Sequence, residues 1–130
     1  MLFLLMTLIL TVPQVRFYYD LENQIEIKGK IIEVGEEKGP RSGIPLVFLM
    51  VDADTDTFKI ILGPPWYIEE LPRRGEIVEV RGSLNKNEGE RIIVAGFVKF
   101  RSSSRDIYLR DKEGFPLWRC TDRMRRRRGR

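Results

Sequence analysis

A chain of 130 residues, 42% hydrophobic and 32% charged, has room for one hydrophobic core and is neither wholly disordered nor a polytopic membrane protein. It contains no histidine and a single cysteine, which removes the commonest general acid–base and metal ligand and excludes an internal disulfide, a zinc ribbon or a C-x-x-C redox pair. The excess of positive charge is terminal: residues 119–130 hold seven arginines and one aspartate, leaving 16 basic against 18 acidic groups in 1–118, so the folded part is not basic.

The chain opens on an apolar run, Met1 to Leu10, broken by Thr7. No Lys or Arg precedes it and no small-x-small cleavage site follows, and Pro13 and Arg16 end it short of the roughly 20 residues of a spanning helix. Residues 1–16 read as a signal-like or anchoring leader, with membrane association through 1–12. The alternative is a strand or helix packed on the domain. This favours an exported or membrane-associated location over the cytoplasm.

Residues 17–119 read as the folded domain. From Gln24 to Val34, Ile25, Ile27 and Ile31 alternate with Glu26, Lys28 and Lys30, a strand signature, and Gly29 within it permits a bulge or sharp coiling. The turn-forming stretch Gly35 to Gly43 leads to a second strand over Pro45–Asp52. An acidic turn, Asp52 to Asp56, joins it to a third over Thr57–Leu62. The segment Gly63 to Pro72, with Pro64 and Pro65 at its start, predicts one or two turns of helix. A fourth strand over Glu76–Gly82 and a fifth over Arg91–Phe100 follow. Ile107–Arg110 and Pro116–Arg119 then flank a type I turn at Asp111 to Gly114, predicting an extra C-terminal hairpin. Residues 120–130 read as a disordered tail.

Three strands, a short helix and two more strands is the order of an OB-fold, and two local patterns sharpen the resemblance. Arg74-Gly75-Glu76-Ile77-Val78-Glu79-Val80-Arg81-Gly82 resembles the Gly-(Asp/Glu)-x-Val-x-Val-x-Gly run of such domains at the fourth strand, and the first strand carries their Val/Ile-x-Gly-x-Ile run. The similarity covers about residues 23–101, and with its apolar leader the chain resembles small exported OB-fold proteins of bacteria and archaea. The resemblance implies an all-β domain with a small helix: a five-stranded Greek-key barrel of OB type with the helix between strands three and four.

This barrel hosts oligonucleotide, oligosaccharide and protein ligands, so function must be read from its faces. The second strand is apolar on both sides, Leu46, Phe48 and Met50 opposing Val47, Leu49 and Val51. One set fills the barrel, and the other requires cover from the terminal hairpin, the N-terminal segment or a second protein. Lys28, Lys30, Lys38, Arg41, Lys59 and Arg81, with Tyr67, form the candidate contact set for single-stranded nucleic acid or another anionic polymer. Trp66 beside Tyr67 is either a stacking platform or, as a plug helix favours, core packing. Tyr108, Phe115 and Trp118 are expected to anchor the last hairpin.

Arg123, Arg125, Arg126, Arg127, Arg128 and Arg130 make a polyelectrolyte arm for phosphates or lipid head groups, or a solvated tail. Cys120 reads as an incidental tail residue, with an intermolecular disulfide as the alternative. Asp52, Asp54 and Asp56 have the spacing of a calcium loop, but Thr57 and Gly63 replace its glycine and glutamate, so no metal or other cofactor is implied. No nucleophile has a base partner, and no catalytic residue is assigned. The leading reading is a non-catalytic binding module for an anionic polymer. The alternative is an exported or membrane-tethered structural adaptor that docks a protein, or a second copy, through the outer face of its barrel.

Overall fold

The computed structural model describes residues 19–119 except 40–42, 55 and 88. The leader expected over 1–16, Arg41, Cys120 and the tail arginines Arg123, Arg125, Arg126, Arg127, Arg128 and Arg130 therefore lie outside the described residues. In chain order the elements are β1 (Gln24–Lys38), β2 (Pro45–Ala53), β3 (Asp56–Ile61), α1 (Pro65–Ile68), β4 (Ile77–Asn87), β5 (Glu90–Phe100) and β6 (Arg105–Tyr108).

β1 is long enough to serve two neighbours, its first half pairing with β4 and its second with β2. The crossing point is Lys30, opposite both Ile77 and Asp52. Next to it, a Cβ on Gly29 would stand 2.7 Å from Val51 Cγ1 and collide with the Asp52 carbonyl. Glycine at this position is what lets β2 approach β1 at the bend. The register shift itself falls between Ile31 and Glu33.

The remaining pairings close the sheet in the order β1-β2-β3-β5-β4-β1, all antiparallel except β3–β5. With α1 between β3 and β4, this is the five-stranded barrel of OB type expected from the order of elements. β5 divides its remaining edge, giving Ile92–Val94 to β3 and Phe97–Phe100 to β6. Alternation places Ile31, Val47, Leu49, Val51, Phe58, Ile60, Val78, Val80, Ile93, Ala95, Val98 and Phe100 inside, all buried in one core cluster. Each such aliphatic side chain contributes about 1.5–3 kcal/mol when fully buried.

Three boundaries differ from the sequence reading. β1 runs past Val34 to Lys38, so the first part of the stretch read as a turn, Gly35 to Lys38, is strand paired with Pro45 to Phe48 of β2. β4 continues past Gly82 to Asn87, because a register shift at Arg81/Gly82 carries the strand on along β5. At the C-terminal end, β6 takes Arg105–Tyr108, and the turn forms with Gly114 N donating to the Asp111 carbonyl at 3.0 Å. Its returning arm is the single bridge Arg110–Pro116, followed by a helical turn over Leu117–Arg119 that buries Trp118 in the core cluster.

Candidate docking surface

α1 is too short to fill the barrel end with more than one side chain, and its phase decides which one. Pro65 starts it, Ile68 is fully buried in the core cluster, and Trp66 is 49% exposed. The core role expected of Trp66 belongs instead to Ile68, because in a four-residue helix only one residue faces the barrel. Tyr67 lies between the two environments. Its hydroxyl donates to the Tyr108 carbonyl at 2.7 Å, its ring meets Trp66 edge-on at 6.2 Å, and it tilts against Trp118 at 6.1 Å. Burial raises the Tyr67 pKa, so the phenol stays a donor at neutral pH.

β6 carries α1 on its flank. The Arg105 guanidinium donates to the carbonyls of Ile68 and Glu70, satisfying acceptors at the end of the short helix. That clamp is next to the hydrogen bond from Tyr67 to the Tyr108 backbone, with Trp66 on the far side of Tyr67. Tyr108 was expected to anchor the terminal hairpin but stands 60% exposed, and Trp118 is the anchor. The Tyr108 ring packs on Phe97 at 4.7 Å, and the Arg81 guanidinium lies over Phe97 at 5.0 Å. Trp66, Tyr67, Tyr108, Phe97 and Arg81 therefore form one linked run from α1 across β6 and β5 to β4.

The charged residues around this run are arranged by register. Lys28, Glu79, Lys99 and Asp106 stand directly opposite one another across β1, β4, β5 and β6, alternating in sign. The next row is Glu26, Arg81, Phe97 and Tyr108. Directly opposed residues share a face, so opposite charges compensate one another here. Arg101 adds a 4.0 Å contact to Glu79.

Of the seven sequence candidates, the structure brings Tyr67 and Arg81 into the aromatic run. Lys28 and Lys30 sit exposed on β1, Lys28 opposite Glu79. Lys38 ends β1, while Lys59 on β3 is held by Glu37 at 2.7 Å and lies over the Phe48 ring at 4.9 Å. The acidic turn likewise has a partner, Asp56 pairing with Arg91. A separate open groove of about 500 Å³ is lined by Arg73, Arg74, Glu76, Arg101 and Ser102. Within it, the Glu76 carboxylate accepts from Arg73 N at 2.8 Å and Ser102 Oγ at 3.0 Å.

The sequence reading missed Phe97 as a site residue and assigned Tyr108 a different role. Alternation of Phe97, Val98, Lys99 and Phe100 marks Phe97 as outward, but its partner is set by the register of β6.

A family model described as the MamS/MamX magnetosome protein family matches residues 23–104, the span from just before β1 to just before β6. The chain belongs to the MamS/MamX magnetosome protein family. No curated protein matches the chain. The matched span contains Trp66, Tyr67, Arg81 and Phe97, so most of the aromatic run lies in the part shared with the MamS/MamX family. Membership favours the adaptor alternative over nucleic-acid binding, for which it gives no support. Among the described residues no helix is long and apolar enough to cross a membrane.

Proposed function

We propose that this protein is a non-catalytic adaptor of the magnetosome, which docks a protein partner through the outward row Trp66, Tyr67, Tyr108, Phe97 and Arg81. The observation that carries the reading is this row itself. Its four aromatic rings form two contacting pairs, Trp66–Tyr67 and Tyr108–Phe97, joined by the Tyr67 hydroxyl on the Tyr108 carbonyl and ending on Arg81, and Trp66 and Tyr108 stay half-exposed although the core is complete without them. Trp, Tyr and Arg are the residues in which binding energy concentrates at protein interfaces. The neighbouring charge rows are mutually compensated, so they offer a polar rim and not a continuous track for phosphates. The family supplies the compartment in which the partner is sought.

Fractionation of cells that form magnetosomes tests the reading. Tagged full-length protein is expected with the isolated magnetosomes, and a Trp66→Ala/Tyr108→Ala double variant is expected to be depleted there while its melting curve stays close to that of the parent. Equal recovery of parent and variant would contradict docking through this row. A gel-shift of labelled single-stranded DNA by the full chain at low salt would reinstate the anionic-polymer reading.

A further inference from the structure

Where β4 begins and β5 ends, the surface collects charges of the kind that it pairs off elsewhere. The two strands run antiparallel with Val78 opposite Phe100, so the turn before β4 and the turn after β5 come together. The first holds Arg73 and Arg74, the second Arg101 and Ser102, and with Glu76 and Ile77 they line the open groove of about 500 Å³. Ile77 is on the outward phase of β4, beside the core residue Val78. The backbone beneath the groove is fixed. Gly75 N donates to the Ile31 carbonyl at 2.8 Å, Glu76 N to the Arg73 carbonyl at 3.2 Å, and Arg101 N to the Ile77 carbonyl at 3.1 Å. Gly75 makes the turn with a φ of 96°, which glycine adopts without strain. The Glu76 carboxylate ties the two turns, one oxygen accepting from Arg73 N and the other from Ser102 Oγ.

Three arginines share this groove with one glutamate, an excess of two positive charges. The glutamate is already committed to neutral donors. Among the described residues the Arg73 and Arg74 side chains have no hydrogen bond or ion pair. Arg101 reaches only Glu79, at 4.0 Å, and remains 56% exposed. The contrast with the adjoining row follows from register. Lys28 has Glu79 directly opposite and Lys99 has Asp106, whereas Arg73 and Arg74 belong to a turn and have no cross-strand partner.

We infer that this groove binds an acidic peptide segment of a partner protein, its carboxylates meeting Arg73, Arg74 and Arg101 and an apolar side chain meeting Ile77. The uncompensated charge calls for an anion. The groove selects separated carboxylates over a phosphate group, because a phosphate cradle presents free backbone N–H groups. Those of Arg73, Gly75, Glu76 and Arg101 are spent on acceptors within the protein. It also selects a narrow segment over a planar anionic bilayer, which would press against Glu79 and Asp106 in the adjoining row. Arg101 lies four residues beyond Phe97, about 13 Å along the strand direction, so the groove and the aromatic row are separate places. The inference rests on the groove alone and does not need the row.

Nuclear magnetic resonance of the isotope-labelled full chain tests it, with a synthetic peptide of alternating glutamate and leucine as the probe. Amide shifts are expected to concentrate at Gly75, Ile77 and Ser102, and the affinity to fall with added salt. Arg73→Ala/Arg74→Ala is expected to weaken binding about tenfold, the loss of two exposed ion pairs. Lys28→Ala/Lys99→Ala removes the same charge from the compensated row and is expected to change it less than about twofold. Equal losses in the two pairs reduce the effect to net charge and overturn the inference. Shifts confined to residues 119–130 overturn it by assigning the peptide to the terminal arginines. Shifts at Trp66 and Tyr108 with none at Ile77 overturn it in favour of the aromatic row. Inorganic phosphate that displaces the peptide at equal concentration overturns it in favour of a phosphate site. Flotation with phosphatidylglycerol vesicles that is lost in Arg73→Ala/Arg74→Ala overturns it in favour of a membrane surface.

Discussion

The two outer faces of this barrel are built from the same strands and differ in what register brings together. Across β1, β4, β5 and β6, lysine meets glutamate, lysine meets aspartate, and Arg81 meets Phe97. Across β2, β3 and β5, Phe48 meets Ile61, which meets Val94. The first face satisfies its charges internally and leaves aromatic rings half-exposed, as a reversible docking surface requires. The second is too apolar to stand in water and behaves as an extension of the core. β5 belongs to both, and the change occurs within it at Gly96, where the Arg81/Gly82 register shift falls and Tyr19 crosses.

Substitutions sharpen this contrast in order of size. Ile61→Asp, on the apolar face, is expected to cost at least about 3 kcal/mol in urea denaturation, since it leaves an unpaired charge in a dry layer. A cost below 1 kcal/mol, the ordinary result for a solvated position, would abolish the distinction between the faces. Arg110→Ala should cost about 2 kcal/mol by thermal melting. It removes two cation–π contacts and the Gly114 carbonyl's donor at 2.9 Å, and frees the segment at Tyr19. Burial lowers the Arg110 pKa to about 10, so the guanidinium is charged at neutral pH and the contacts are present there.

Tyr67→Phe should cost about 1 kcal/mol at neutral pH, the net value of the hydrogen bond to the Tyr108 carbonyl. Its pKa is raised in the fold, so the stability it contributes is complete below pH 10 and is lost as pH climbs through the folded value. Denaturation midpoints measured across that range should fall more steeply for the parent than for Tyr67→Phe. Lys99→Ala, in the compensated row, should change stability by no more than about 0.5 kcal/mol.

Much of the barrel was legible because its strands alternate. Ile25, Ile27 and Ile31 against Glu26, Lys28 and Lys30 give β1 its inner side directly, and the two prolines before Trp66 mark α1. The second strand also showed, by its apolar residues on both sides, that something must cover Leu46, Phe48 or Met50. The extent of that face was hidden, because Ile60-Ile61-Leu62 and Ile92-Ile93-Val94-Ala95 have no polar residue to betray a phase. Only the pairing Ile61–Val94 shows which members point outward. The docking row was hidden for a related reason: Phe97 and Tyr108 are eleven residues apart and meet through the register of β6. The basic set was drawn from residue type, and it scattered because cross-strand partners such as Glu79 for Lys28 and Glu37 for Lys59 depend on pairing.

Photo-cross-linking inside magnetosome-forming cells tests the adaptor reading most directly. A photoreactive amino acid placed at position 108 of the full chain is expected to give a discrete protein adduct on isolated magnetosomes, and the same group at position 28 is expected to give none. Equal adducts from both positions, or none from position 108, would contradict it.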